Sequence, residues 1–311
     1  MQAGFRFAHL SDPHLPLPSG PLAAGQLGGL RVLAGKRVLG LLSWRRKRHA
    51  IHRPEILSAL LADVAAHAPD HVAITGDLTN IALPDEFERA REWLERVGPP
   101  DRVSVVPGNH DTTVRVPWES GLGRWQPWMT GDDLAEGFPF VRVRGPVAFV
   151  GVSTAVPTLP LLATGTVGAA QAARLETALA DLGRRGLFRV VLMHHAPILV
   201  GRSERKALTD RRRVQDALAR AGAELILHGH HHCDRIGSLA VRGATIPVIG
   251  VASASAAPVG RAQPARWNQF TVGRRDDGAW RLSTLVRGYA AGGFHTEARY
   301  AVICGRHDAA A

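Results

Sequence analysis

Apolar residues in this chain fall into short runs, and five of those runs stop at a residue that can hold a metal. Residues 5–10 lead to Asp12-Pro13-His14, and 71–75 lead to Gly76-Asp77. Residues 103–106 lead to Pro107-Gly108-Asn109-His110-Asp111, 190–193 to His194-His195, and 225–227 to His228-Gly229-His230-His231-His232. Runs this short and rich in β-formers predict strands. A further run at 146–152 predicts a buried strand with no ligand at its end. Between the runs, residues 55–66, 85–97, 171–182 and 211–221 read as helices. Pro54 suits a first helical turn, Gly98-Pro99-Pro100 stops the second helix, and Gly183 and Gly222 end the last two.

Strands alternating with helices predict an α/β layered fold. In such a fold neighbouring strands end in a common crevice, so the five run ends should build one site. After Ala240 the pattern changes to short strands at 245–251, 268–272, 279–285 and 298–304, joined by Gly-rich turns and suited to antiparallel pairing. With no internal repeat and no linker, a single domain over 1–311 is expected. Two segments exceed what a connection needs. One, at 15–53, lacks Asp and Glu but holds Arg31, Lys36, Arg37, Arg45, Arg46, Lys47, Arg48 and Arg53. Its Leu30, Leu33, Leu41 and Trp44 can share one helical face. The other, at 112–140, carries Trp118, Trp125 and Trp128. Both follow ligand motifs and should hang over the site.

Composition changes this picture little. An apolar share of 45% is ordinary for a globular protein. Two cysteines, Cys233 and Cys304, make no disulfide framework and point to a reducing compartment. The start reads as a strand rather than a signal peptide, and no apolar stretch is long enough to span a bilayer. A cytoplasmic protein is expected, with peripheral contact to the inner membrane as an open alternative. The net charge of +11 invites an anionic partner. Lys36, Lys47 and Lys206 are the only lysines, so arginine usage typical of a GC-rich genome accounts for the charge equally well. The basic Leu/Trp segment at 31–53 could lie on an anionic membrane, cap the site, or simply pack on the body. Arg202, Arg205, Lys206, Arg211, Arg212 and Arg213 suit phosphate, or a solvated helix face.

The ordered set Asp-x-His, Gly-Asp, Gly-Asn-His-Asp, His and Gly-His-x-His, spread over residues 12–232, resembles the calcineurin-like metallophosphoesterase superfamily. Its look is close to the bacterial cyclic-nucleotide/glycerophosphodiester phosphodiesterase-like branch. The resemblance implies a four-layer α/β/β/α sandwich with two divalent metal ions between the sheet ends. Asp12, His14 and His232 would hold the first metal, Asn109, His194 and His230 the second, and Asp77 would bridge them. His110 would stand beside the metals and stabilise or protonate the leaving oxygen, with Asp111 orienting it or a ligand. His195 and His231 are left out, as are the scattered His9, His49, His52, His67, His71, His295 and His307.

The mixed N/O donor set leaves Mn, Fe or Zn open. The implied activity is hydrolysis of a small phosphodiester, a cyclic nucleotide or glycerophosphodiester, by a hydroxide bridging two metals. A nucleotide-lipid pyrophosphatase of the UDP-diacylglucosamine type at a membrane surface keeps the same chemistry. A nucleic-acid-binding protein or nuclease would use the charge, but the large extra domains of DNA-processing relatives are missing. A protein Ser/Thr phosphatase is disfavoured because Gly-Asp-Leu-Thr-Asn replaces Gly-Asp-x-Val-Asp-Arg-Gly.

Overall fold

The structure is a computed structural model and describes residues 4–17, 35–133, 137–201, 204–241 and 243–304. Two six-stranded sheets lie face to face with helices outside them. The first is built from β1 (Phe5–Leu10), β2 (His71–Ile74), β3 (Val103–Val105), β10 (Arg266–Arg274), β11 (Trp280–Ala290) and β12 (Gly293–Cys304), in the order β12-β11-β10-β1-β2-β3. The second holds β4 (Phe140–Arg144), β5 (Val147–Gly151), β6 (Phe188–Leu192), β7 (Leu225–His228), β8 (Arg235–Val241) and β9 (Ala244–Gly250), in the order β4-β5-β6-β7-β9-β8. Strands β1, β2 and β3 are parallel, as are β5, β6, β7 and β9.

Side-chain alternation explains why both sheets are layered. In β5, β6 and β7, Val147, Phe149, Val190, Leu192, Leu225 and Leu227 point to the core shared with the first sheet. Their neighbours Ala148, Val150, Val191 and Ile226 point instead to a second core with Leu175, Leu179, Val214 and Leu218. Those four leucines and valines come from α5 (Ala169–Arg184) and α6 (Arg211–Ala221). Strands covered on both faces need continuous apolar sequence, which is why these runs showed no polar alternation. At the seam between the sheets, Phe149 meets the Phe7 ring edge-on at 5.2 Å and stacks on His71 at 4.2 Å. The helices α3 (Pro54–His67) and α4 (Pro84–Val97) cover the first sheet through Leu57, Leu60, Phe87 and Trp93.

The predicted helices and ligand-bearing strands are present with small shifts of their ends. Two strands escaped prediction. Exposed, Gly- and Ser-containing β8 and Arg-bearing β4 are edge strands, which carry little apolar signal. The late strands divide, with β9 joining the second sheet and β10, β11 and β12 forming an antiparallel wing of the first.

The basic segment is helical from Lys36 to Ile51, as α1 (Lys36–Ser43), a π turn (Trp44–Arg48) and α2 (His49–Ile51). Leu41 and Trp44 are buried as expected, whereas Leu30 and Leu33 lie outside the described residues. The segment is pinned where Leu41 packs on Ile81 and Leu83, where the Arg37 Nε–H donates to the Ile81 carbonyl at 3.1 Å, and where the Arg53 N–H donates to the Ser255 carbonyl at 2.9 Å. Among the described residues no helix is long and apolar enough to cross a membrane.

Candidate metal centre

The extensions of five strands converge, three from the first sheet and two from the second. The crevice therefore lies between two sheets rather than along one. The His232 Nε2 is 3.2 Å from Oδ1 of Asp12 and 3.1 Å from the His14 Nε2. The same His14 nitrogen lies 3.8 Å from Oδ2 of Asp77. That Asp77 oxygen is 3.3 Å from the His194 Nε2, which is 3.1 Å from Oδ1 of Asn109. The His230 ring sits 5.1 Å from that of His194. All seven predicted ligands thus border one continuous space, with Asp77 between two groups of donors. Donor atoms of Asp12, His14, Asp77 and His232 lie within 4.8 Å of one another, as do those of His194, His195 and His230.

Local backbone geometry explains how the side chains reach inward. Asp12, His14, Asp77, His230 and His232 all have positive φ, between 41° and 71°. They make up five of the nine non-glycine residues in that state among the described residues, so the strain concentrates at this cluster. Pairing of the loops holds it in place: the Asp12 N–H donates to the Gly76 carbonyl at 3.0 Å and the His14 N–H to the Asp77 carbonyl at 3.1 Å. Gly76 has φ +93°, and a Cβ there would come within 2.6 Å of the Gly108 nitrogen, so no other residue fits between the second and third motifs. The Asp111 carboxylate accepts backbone N–H groups from Asp77 (2.9 Å), Thr79 (2.8 Å) and Gly108 (2.8 Å). It contacts the Asp77 loop rather than the His110 ring.

The ring nitrogens follow from these bonds. The His14 Nδ1–H donates to the Thr79 carbonyl at 3.2 Å and the His194 Nδ1–H to the Thr75 carbonyl at 2.6 Å, which turns both Nε2 atoms toward the cluster. A carbonyl on Nδ1 fixes both the tautomer and the ring orientation that an imidazole needs to ligate through Nε2. His195 is different: its Nδ1 lies 2.7 Å from the Thr154 hydroxyl and its Nε2 3.1 Å from the Ala163 carbonyl, so both nitrogens are engaged elsewhere. Burial lowers His14 and His230 well below the usual imidazole range, leaving neutral lone pairs. Burial works the same way on His194, but the Asp77 carboxylate outweighs it and raises that ring to about 9. Burial and Asp77 together push Asp111 up to about 7. Among the described residues, Asp12 Oδ1 and His230 Nε2 are buried without a hydrogen-bond partner. Lone pairs buried in this way are costly unless something accepts them, and divalent cations fit a donor set of carboxylate, amide and imidazole.

His110 stands beside the cluster, its ring 5.0 Å from His14, and its Nδ1–H donates to the Asn80 carbonyl at 2.7 Å. Burial, reinforced by the Arg48 charge, pulls it down to about 4. Two neighbours were not foreseen. His52, read as a scattered structural histidine, is buried with its ring 4.4 Å from His14 and its Nδ1 3.0 Å from the Ser255 hydroxyl. Arg48, read as one of a basic run, places Nη2 2.8 Å from the His14 Nδ1 and Nη1 3.2 Å from the His110 Nδ1. Their position depends on how the insert docks, which no local pattern encodes; the i, i+4 spacing of Trp44, Arg48 and His52 was the one available signal.

The tryptophan loop resolves toward packing. Trp125 is fully buried on Phe87 at 5.1 Å, and its Nε1–H donates to the Phe87 carbonyl. Trp128 donates to the Gly98 carbonyl, while Trp118 is exposed. The loop thus lies against α4 rather than over the cluster. Arg211 pairs with Glu204 and Arg213 with Asp210, as on a solvated helix face, and Arg202 lies outside the described residues. A groove of about 610 Å³ between α3 and α4, lined by Leu57, Leu61, Asp85 and Trp93, includes none of the cluster residues.

Two facing sheets with carboxylate, amide and imidazole donors clustered at their parallel strand ends, Asp77 among them, are the arrangement of a metal-dependent phosphoester hydrolase of dinuclear type. The chain belongs to the family described as calcineurin-like phosphoesterase, which matches residues 5–234. It is 24% identical to a protein of Synechococcus sp. named as a probable cyclic nucleotide phosphodiesterase, over 72% of this chain and 79% of that one. It is 26% identical to the glycerophosphodiester phosphodiesterase GpdQ of Enterobacter lignolyticus, over 52% of this chain and 56% of that one. Its fold resembles the purple acid phosphatase of yellow lupin (Lupinus luteus), with TM-score 0.62 and 13% identity over 97% of this chain and 54% of that one. A dimetal phosphatase from Danio rerio gives TM-score 0.52 and 13% identity over 95% and 99%. The chain thus spans about half the length of the lupin enzyme.

Proposed function

We propose that this protein is a phosphodiesterase acting on a small phosphodiester, a cyclic nucleotide or a glycerophosphodiester. Asp12, His14 and His232 would hold one divalent cation and Asn109, His194 and His230 the other, with Asp77 placed between the two sets. The carrying observation is the meeting of these seven side chains, with Asp12 Oδ1 and His230 Nε2 buried and making no hydrogen bond among the described residues. Two such cations supply a water nucleophile near neutral pH and a clamp on the phosphoryl oxygens. Asn109 contributes an oxygen without adding negative charge.

His110 then faces the leaving oxygen. Its Nδ1–H is committed to Asn80, so Nε2 is the nitrogen that carries a proton to that oxygen. In the resting site the ring is neutral at pH 7; an anionic phosphoryl group beside it raises its proton affinity when the leaving oxygen needs one. The names of the Synechococcus and Enterobacter relatives support a diester substrate. A panel of cyclic nucleotides, glycerophosphodiesters and phosphomonoesters on protein reconstituted with Mn, Fe or Zn tests this. Turnover confined to monoesters refutes it.

A second reading keeps the chemistry and makes the substrate amphiphilic, such as a nucleotide-lipid pyrophosphate at an anionic membrane. It is favoured by the outer face of the insert, where Leu39 and Leu42 are exposed beside exposed Arg45, Arg46 and Lys47. The Lys36 amine donates to the Thr158 hydroxyl at 2.5 Å, which brings in a turn carrying exposed Leu159 and Leu161. Replacing Arg45, Arg46 and Lys47 with Glu should abolish flotation with phosphatidylglycerol vesicles and spare hydrolysis of a soluble diester. Unchanged flotation removes this reading.

A further inference from the structure

One arginine of the basic run does not face water. Trp44, Arg48 and His52 recur at i, i+4 and i+8 and so share the inward face of the insert. Trp44 stacks on the His52 ring at 6.2 Å and 6°, and both are buried, whereas Arg45, Arg46 and Lys47 are exposed. The C-terminal end of the insert is anchored, where the Ala257 N–H donates to the Ile51 carbonyl at 2.7 Å and the Arg53 N–H to the Ser255 carbonyl at 2.9 Å; the helical bond from the His52 N–H to the Arg48 carbonyl at 2.8 Å carries that anchor back to Arg48. The Arg48 guanidinium therefore enters the mouth of the metal centre from an anchored position. It bridges the rings of His14 and His110 at 2.8–3.2 Å. Neither ring is an anion, and His14 and His110 each give their Nδ1 proton to a carbonyl, of Thr79 and of Asn80. Among the described residues Arg48 pairs with no carboxylate; Asp77, Glu86 and Asp12 act on it only through space. A half-buried guanidinium that meets imidazoles instead of a counter-ion is short of an anionic partner.

We propose that Arg48 is a phosphoryl-binding residue: its guanidinium takes a non-ester oxygen of the substrate phosphate between His14 and His110. The planar fork of arginine matches two phosphoryl oxygens, or one oxygen approached by two N–H groups, and keeps its charge when half-buried. The contact makes the insert part of the substrate site, so insert position and phosphate affinity are coupled. It rests on the phosphohydrolase reading, but it concerns anion binding and can be measured apart from turnover.

The experiment uses full-length, metal-loaded protein and three forms: parent, Arg48→Ala and Arg48→Lys. Calorimetric titration with inorganic orthophosphate reads the contact directly. Removing a hydrogen bond to a charged group predicts affinity lower by about 10- to 100-fold in Arg48→Ala. Arg48→Lys should recover part of it, since charge returns without the fork. Metal content per chain and thermal midpoint should match the parent in both variants. Orthophosphate affinity within twofold of the parent in Arg48→Ala overturns the proposal. So does a rise in metal occupancy in Arg48→Ala, which would mark the guanidinium as a competitor of the cations. A parent that binds orthophosphate through Arg48 yet hydrolyses no ester upholds the contact and removes the hydrolase reading.

Discussion

Asp111 holds Asp77 by its backbone: the Asp77 N–H points at the Asp111 Oδ2 at 2.9 Å, and the Gly108 N–H shares that oxygen at 2.8 Å. The carboxylate thus staples the second motif to the third before any ligand side chain is considered. Asp111→Asn puts an amide N–H₂ against several N–H donors. Expected are a stability loss of about 1–3 kcal/mol and metal affinity lower by about 10- to 100-fold. Thermal melts and metal analysis of the purified variant check both; unchanged metal affinity would detach Asp111 from the site.

Asp77 stands between both donor groups, so Asp77→Ala should empty or scramble both metal positions and abolish turnover. Metal stoichiometry by emission spectrometry is the measurement. One cation retained at full occupancy would contradict a shared carboxylate.

His110 lies outside the ligand set, so His110→Ala should keep its metals while kcat drops about 10²- to 10⁴-fold. The loss should be steepest for esters with poor leaving groups, read as a larger leaving-group dependence of kcat. A variant that loses metal would make His110 a ligand.

Asp63 on α3 accepts from the Trp267 indole at 2.9 Å and from Arg287 at 2.6 Å, tying that helix to β10 and β11. Burial pushes its pKa up, but Arg287 and Trp267 outweigh burial and hold it below the ordinary 3.8. A depressed carboxylate contributes stability above its unfolded pKa and loses it as pH falls through the folded one. Asp63→Asn should therefore cost about 1.5–3 kcal/mol at pH 7. The gap from the parent should close as pH drops below 3.8. A gap constant down to pH 3 would refute the assignment.

Arg189 and Glu224 form a buried pair, Nη2 to Oε1 at 2.7 Å and Nε to Oε2 at 2.9 Å, with side chains 3% and 4% exposed. Glu224→Ala strands a buried guanidinium and should cost about 3–5 kcal/mol in urea unfolding. Replacing both residues with methionine should recover most of that loss; a double variant as weak as the single one would argue against a stranded charge.

Much of this was legible in the sequence because the chemistry is local to strand ends. Residues 71–77 state a strand, a glycine and a carboxylate in seven positions, and α4 and α6 end at the expected Gly98 and Gly222, whereas α5 runs past Gly183 to Arg184. Less legible was anything that depends on docking. Arg48 is indistinguishable from Arg45 and Arg46 until the helical phase of Trp44 and His52 is known. Trp125 and Trp128 look available until Phe87 and Gly98 are seen to take their N–H groups. Strand β8 pairs at an edge with Arg235 and Ile236 exposed, so it lacks the apolar run that betrayed the others.

The first strand and the late wing share a sheet: Phe7 is opposite Phe270, more than 260 positions downstream. Asp12 and His14 leave that first strand, so their bed is finished only when residues 268–272 arrive to pair with it. During synthesis the early half of the cluster must wait beside an unclosed edge, and such long-range closure is slow. A nascent chain halted before Arg266 would present all seven candidate ligands and still lack the strand that seats two of them.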